Sequence, residues 1–293
     1  MSELAFGEHS ERSELPTPPR IGLVVERRYL AQLQPSGMMG ALRARGYAVE
    51  VIDPETNAYL LGDAGWLDGL DLIIGRGRSV ALQFLLRWAE ARSIPTINRP
   101  EAIAAVFNKA EMAVALSAGK IPVPATYLGP PPELTERIPA SAYPLVLKPV
   151  FGDNCRSLRI VRSTLELSRT EWPETLALAQ HFEATDGYDV KLYGIGREVW
   201  AVRKASCLAT VLADSSIALG TKAPHLVPLT GAMETLALRC ADLFGLDLFG
   251  VDCVETAEGL RVIEVNDFPN YSGIPGVDEK LADFVLRRAM HRK

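Results

Sequence analysis

The sequence has few of the residues that build metal knuckles or disulfide frameworks: 293 residues hold 4 cysteines and 4 histidines. Cys155, Cys207, Cys240 and Cys253 form no Cys-x-x-Cys pair, which excludes a zinc knuckle and a stapled fold and fits a reducing compartment. His9, His181, His225 and His291 have no metal-like spacing. No apolar stretch approaches the roughly 20 residues needed to cross a bilayer. The opening MSELAFGEHSERSELPTPPR is polar and lacks the apolar core of a signal sequence, so a cytoplasmic protein with a loose tail over residues 1–20 is expected. Neither charge sign dominates: Lys+Arg 31 against Asp+Glu 36 leaves a net charge of -5, with no global field to draw in nucleic acid or an anionic membrane. A Gly-x-Ser-x-Gly elbow, a Walker loop and a dinucleotide glycine fingerprint are all missing, which removes the commoner nucleotide folds.

What is present is an ordinary globular composition, 48% hydrophobic and 23% charged, enough for one large domain or two to three small ones. IGLVV, a helical pattern ending at Gly46, YAVEVID, LDLIIGRGRS, ALQFLLRWAEARS and a Pro-Thr-Ile-Asn strand alternate strand with helix, which predicts a mainly parallel α/β layer. Ligands of such sheets bind beyond the carboxyl ends of the strands, where Arg76 and Arg78 lie. Pro100 to Gly119 reads as one helix, and the proline-rich IPVPATYLGPPPEL marks a boundary. YPLVLKPVFGDNCRSLRIVR reads as strand, loop, strand. A helix is expected over Leu165 to Leu178, then a strand pair in YDVKLYGIGREVWAVRKAS turning at Gly-Ile-Gly. Thr230 caps a helix with Met233, Leu236, Ala237, Cys240, Leu243 and Phe244 on one face. Two strands, LFGVDCV and LRVIEVN, follow around the turn ETAEG, and a last helix starts near Asp278.

The most informative chemistry lies in that last strand pair. Side chains alternate along a strand, so Glu264 and Asn266 share a face, and the turn brings Asp252 beside them. Three hard oxygen donors in apolar strands suit Mg²⁺ that also holds phosphates; an arginine partner or a solvated sheet face would account for them equally. Lys148 in LVLKPV needs an anion if it faces inward, and the adjoining FGDNCRS loop is rich in groups able to fold over phosphate; a solvent-facing lysine is the plainer reading. Lys109 lies on a helix, where lysines are commonly solvated. Lys191 and Arg203 flank the Gly-Ile-Gly turn on its two strands and are expected over one cleft or on a solvated face.

In order along the chain, LIIGRGRS, INRPEAIAAVFNKAEMAVALSAGKIPVPATYL, YPLVLKPVFGDNCRSLRIV, DVKLYGIGREVWAVRK and LFGVDCVETAEGLRVIEVNDFP resemble the ATP-grasp superfamily from about Ile21 onward. Two branches are similar: RimK-like carboxylate-amine ligases in the middle of the chain, and inositol polyphosphate kinases at NDFPNYSGIPG. The resemblance implies a mixed α/β and α+β architecture, with a preATP α/β domain at 21–98 and two α+β sub-domains, a lid at 99–185 and a C-terminal part at 186–293, clasping ATP between them. It implies ATP with Mg²⁺ or Mn²⁺ as cofactors. Lys109 and Lys148 would contact phosphates, Gln180 to Glu183 would form the adenine hinge with Glu183 its acidic residue, and Asp252, Glu264 and Asn266 would hold the metal. Lys191 and Arg203 would act at the reacting groups, with Arg28, Arg76, Arg78, Arg156 and Gly273 toward the substrate. The acceptor is expected to be a small molecule, with no nucleic acid or membrane partner and with self-association left open. A ligase would make an acyl phosphate of a carboxylate for attack by an amine; a kinase would phosphorylate a polyol hydroxyl; a regulatory nucleotide-binding protein is the third alternative. Two departures bear on this. The loop reads GDNCRS, less glycine-rich than in many ligases, with Arg156 available in place of glycines. SCLATVLADSSIALGTK lacks the arginine and Asn-Gly-Gly pattern of RimK-like ligases.

Overall fold

A computed structural model describes residues 18–152, 157–206, 208 and 223–290. The tail up to residue 17, Arg156 with most of the phosphate loop, Cys155, Cys207, nearly all of SCLATVLADSSIALGTK, and His291 lie outside the described residues. Among the described residues no helix is long and apolar enough to cross a membrane.

The first layer contains β1 (Ile21–Val25), α1 (Arg27–Leu30), α2 (Leu33–Ala44), β2 (Val49–Ile52), β3 (Leu72–Arg76), α3 (Val80–Ala91) and β4 (Thr96–Ile97). Its sheet runs β2-β1-β3-β4, all parallel. Every residue of β1 and β3 is buried, as expected for parallel strands covered on both faces. Past the carboxyl ends of these strands come Glu26 and the GRGRS loop. Glu26 is 3% exposed, and its Oε1 accepts the backbone N–H groups of Arg78 and, at 2.6 Å, Ser79. The Ser79 hydroxyl then accepts from Leu82 N and starts α3.

The single helix expected over Pro100 to Gly119 is two, α4 (Pro100–Phe107) and α5 (Lys109–Ala118). Asn108 leaves helical geometry at ψ 103°, and its side chain accepts from Ala110 N and Glu111 N. A short polar side chain able to cap outcompetes helix continuation here. As a result Lys109 starts a helix instead of sitting along one.

The lid holds β5 (Thr126–Gly129), α6 (Pro131–Arg137), β6 (Leu145–Pro149), β7 (Arg159–Val161), α7 (Thr164–Ser168) and β8 (Ala177–His181), in the antiparallel order β5-β8-β6-β7. The helix expected over Leu165 to Leu178 therefore stops at Ser168, and Leu178 lies in a strand. Pro173 removes a backbone donor and drives Trp172 toward extended geometry, which rules out further helix.

The C-terminal part holds β9 (Tyr188–Ile195), β10 (Glu198–Ala205), β11 (His225–Val227), α8 (Gly231–Phe244), β12 (Leu248–Thr256), β13 (Gly259–Asn266) and α9 (Val277–Met290). The sheet order is β11-β10-β9-β12-β13, all antiparallel. Thr230 caps α8 as expected, and Leu236, Ala237, Cys240 and Phe244 are buried, while Leu243 lies at the edge of the stripe, 39% exposed. The turn after β9 comes later than expected. Gly194 is inside the strand, where a Cβ would collide with the Phe249 ring, and Gly196 makes the bend at φ 59°.

The cores divide unequally. One cluster joins the first layer (Met38, Leu42, Leu72, Ile74) to β9, β12 and α9 (Ile195, Leu248, Leu281, Val285). Arg45, just past the end of α2, reinforces it with ion pairs to Glu279 and, at 2.6 Å, Asp283. The lid has a separate cluster around Leu145, Leu147, Leu167 and Ala179. Asn98, just after β4 and 2% exposed, joins the first layer to the C-terminal sheet. Its Nδ2 donates to Leu248 O (2.7 Å) and Asp267 O, and its Oδ1 accepts from Asp247 N (2.7 Å) and Leu248 N (2.8 Å).

Candidate functional site

Between the lid sheet and the C-terminal sheet lie two cavities sharing Lys109, Lys148 and Ile263 as walls. The first, about 540 Å³, is lined mainly by apolar side chains, including Met112, Leu116, Val123, Leu178 and Val262, with Gln180 as a polar edge. That volume and character suit a flat aromatic base. The second, about 230 Å³, is polar: its described walls carry six cations (Arg76, Arg78, Lys109, Lys148, Lys191, Lys204) and three carboxylates (Asp189, Asp252, Glu264). A surplus of positive charge in a partly desolvated cleft selects an anionic ligand.

Strand geometry builds the cleft floor. Asp252 on β12 stands opposite Glu264 on β13, and Asn266 follows two residues on along the same face. The register slips beside this pair, with Asp252↔Glu264 followed by Cys253↔Val262, so Ile263 is an extra residue in the ladder. Its carbonyl is thereby left to accept from Lys148 Nζ of the lid at 3.4 Å. Lys148 also donates to Gln180 Oε1 at 2.6 Å.

Each oxygen donor has a cationic partner from another element. Lys109 Nζ is 2.5 Å from Glu264, Lys191 Nζ 2.7 Å from Asp252, and Arg78 Nη2 2.7 Å from Asn266 Oδ1. Burial opposes the charge of Glu264, but Lys109 and then Arg78 outweigh it and hold the carboxyl at about 2. Burial dominates at Asp252 and moves it upward against the pull of Lys191. Lys191 is pushed up because Asp252 and Asp189 overcome the cost of its burial. Burial lowers Lys148 to about 8, with Glu264 acting in the opposite sense. Hard oxygens already matched to positive charge suit a small divalent cation, which would take the place of those ammonium and guanidinium groups. Among the described residues no group of three or more His, Cys, Asp and Glu side chains could hold a metal. An amide as third donor accounts for that.

The other expected residues divide clearly. Arg76 and Arg78 are buried at 7% and 5% and line the cleft. The Arg76 guanidinium is 4.3 Å from the Tyr29 ring centre and 5.6 Å from that of Phe268. Gln180 lines the apolar cavity, whereas Glu183 is outside its walls and pairs with Arg261 at 3.5 Å. Arg28 sits outside the cleft, paired with Glu26 at 2.8 Å. Gly273 lines a third cavity, described below.

Arg203 is corrected by the register. It stands opposite Val190, on the face away from Lys191, where it pairs with Asp186 and lies 5.1 Å over Tyr188. Lys204, one residue on and opposite Asp189, faces the cleft instead. A three-residue Gly-Ile-Gly turn would have paired Tyr193 with Arg197 and put Arg203 on the face of Lys191; the turn observed has two residues, Gly196 and Arg197, and because the side-chain period is two, that odd change exchanges these neighbours. Asp189 was also missed: it is 2% exposed, and its Oδ1 has no hydrogen-bond partner among the described residues. Alternation along β9 from Lys191 would have located it.

Comparison with known proteins agrees with this geometry. Residues 106–283 match the model of a RimK-like ATP-grasp domain. A probable alpha-L-glutamate ligase 1 of Shewanella denitrificans is 26% identical over 282 residues, covering 87% of this chain and 94% of that protein. The tetrahydromethanopterin:alpha-L-glutamate ligase of Methanocaldococcus jannaschii is 27% identical over 223 residues, covering 67% and 70%. Among solved structures, a RimK domain ATP-grasp protein from Sphaerobacter thermophilus has a TM-score of 0.72 at 21% identity over 91% of this chain and 99% of that one. The ATP-grasp ligase PsnB, complexed with minimal precursor, Mg and ADP, has a TM-score of 0.69 at 20% identity over 92% and 98%. The fold is ATP-grasp, and these names favour a ligase over the polyol kinase suggested by NDFPNYSGIPG.

Proposed function

Since the chain belongs to the RimK-like ATP-grasp family, we propose that it is an ATP-dependent ligase joining a carboxylate to an amine through an acyl phosphate, with Mg²⁺ or Mn²⁺ held at Asp252, Glu264 and Asn266. The observation that carries the proposal is the pair of contiguous cavities. One is apolar and base-sized; the other is cationic and floored by three oxygen donors.

In this reading the first cavity receives the adenine, with Gln180 at its edge. The Asp189 Oδ1, lacking a donor among the described residues, accepts a hydrogen bond from the ligand, for which ribose hydroxyls are suited. Lys109 and Lys148, shared by both cavities, hold the phosphates where these pass from one to the other. The divalent cation supplies charge neutralisation on the phosphates as the γ-phosphoryl moves. With a cation held by the acidic oxygens, Lys191 and Arg78 would be released to donate to the transferring oxygens, and Lys204 adds a third positive charge from β10. Arg76, fixed between two aromatic rings, anchors the carboxylate with Arg78 beside it. The chain thus contributes mainly positioning and fixed charge.

The test is ATP turnover by the whole protein against pools of carboxylates, amines and polyols, with hydroxylamine as a trap for the acyl phosphate. ADP, orthophosphate and a hydroxamate are expected. A phosphorylated polyol formed without orthophosphate would refute the ligase reading.

A further inference from the structure

The cationic cleft leads to another cavity, of about 440 Å³, walled by Gln32, Gln34 and Ser36 from the first layer and by Asn270, Ser272 and Asp278 from the segment after β13. Asn270 belongs to the walls of both, whereas the apolar nucleotide cavity shares no residue with this one. The partition is made of neutral amides. Gln32 Oε1 accepts from Arg76 Nη2 at 3.2 Å and from Asn270 Nδ2 at 3.0 Å. The bond between Gln32 and Asn270 joins two neutral groups and is exchanged at low cost, so a substrate amide or amine can replace it. The cavity therefore opens on the carboxylate-anchoring end of the cleft.

Its charge is the reverse of the cleft's. Among the described residues of its walls there is one carboxylate, Asp278, and no lysine or arginine. The positive end of α9 reaches it, but the first turn of that helix already carries Asp278 and Glu279, which leaves little attraction for an added anion. Asp278 is held in place. Its Oδ1 accepts from Gln34 Nε2 at 2.5 Å, and it lies so close over Gly37 that any Cβ there would collide with it.

We propose that this cavity docks the amine-bearing substrate, and that Asp278 selects one whose far end is cationic or an amide in preference to an acidic one. The proposal rests on the ligase reading above. The amine nitrogen reaches past Gln32 and Asn270 and donates its lone pair to the acyl carbon. The C–N bond forms, the C–O bond to phosphorus breaks, and the departing orthophosphate takes the electron pair and the amine proton. Selection against an acidic end distinguishes this chain from relatives named for glutamate.

L-glutamine and L-glutamate are isosteric and differ only in that far end, and L-lysine carries a longer, cationic one. Their equilibrium binding to the full chain with a non-hydrolysable ATP analogue and Mg²⁺ tests the proposal, with nucleotide binding measured in parallel. Lysine and glutamine are expected to bind about tenfold or more tightly than glutamate. Asp278→Lys is expected to reverse the order, and the nearly isosteric Asp278→Asn, which keeps the packing over Gly37, to abolish the advantage of lysine over glutamine. No nucleotide binding refutes the ligase reading itself. Intact nucleotide binding with glutamate preferred, with none of the three amines bound, or with an order unmoved by both variants refutes the subsite.

Discussion

Replacing Asn98 by alanine removes one side chain and leaves four backbone groups in need of partners: the carbonyls of Leu248 and Asp267 and the N–H groups of Asp247 and Leu248. The bond to Asp247 N is only part-buried, so water can take that place; the other three are buried. An unsatisfied buried backbone group costs about 1–3 kcal/mol. Some relaxation around the small void reduces the total, so a loss of about 3–5 kcal/mol is expected, a large share of the roughly 5–15 kcal/mol that a folded protein has. For a protein of this size the melting temperature should fall by roughly 10 °C. Asn98→Asp should not rescue it, because a carboxylate keeps the two acceptors but turns an oxygen toward two carbonyls. Urea titration and calorimetry give the stability. Mn²⁺ titration of the surviving folded fraction reads the site, since the Asp267 carbonyl held by Asn98 directly follows Asn266. A variant within 1 kcal/mol of the parent, with unchanged Mn²⁺ affinity, would refute the reasoning.

Lys148→Met should raise stability at pH 7 by about 1–2 kcal/mol while abolishing nucleotide binding. The drop from 10.5 to about 8 is worth at most about 3 kcal/mol, and the bonds to Gln180 and Ile263 offset part of it. Between these two values the unfolded chain binds the extra proton, so the parent gains stability as pH rises from about 8 to 10.5 and loses ATP affinity over the same range; pH-dependent melting and binding check both, and a parent without either trend contradicts the assignment. Lys204→Ala should lower kcat at least tenfold, whereas Arg203→Ala should leave it within about threefold, because only Lys204 faces the cleft; steady-state kinetics separate them. Gly194→Ala should cost about 2–4 kcal/mol in a denaturation experiment, since the new methyl meets the buried Phe249 ring.

The parts of this structure legible in the sequence are those set by local periodicity. Glu264 and Asn266 follow from alternation along one strand, Asp252 from a five-residue turn, and the α8 stripe from helical spacing. Where two local signals compete, sequence reading erred. Asn108 caps a new helix inside an apolar helical pattern, and Pro173 ends one whose periodicity continues to Leu178. Arg203 was misplaced because Gly-Ile-Gly can close as a three-residue turn, which puts Arg203 on the face of Lys191, or leave Gly194 in the strand and close in two residues at Gly196 and Arg197, as it does where the Phe249 ring, fifty-odd residues away, packs on Gly194. Asp278 and Gln34 had no local signal at all, since they meet through packing of α2 against α9.

The shared core of α2 and α9 also bears on the order of events at the ribosome. Met38 and Leu42 leave the tunnel long before the surfaces they bury against, Leu281 and Val285, and Arg45 finds its partner Asp283 across 238 residues of chain. The first layer, though complete in its strands, has to wait with an apolar face uncovered while the lid, closed within its own residues, can already fold. Nascent chains of this protein therefore need protection over this layer until translation reaches α9.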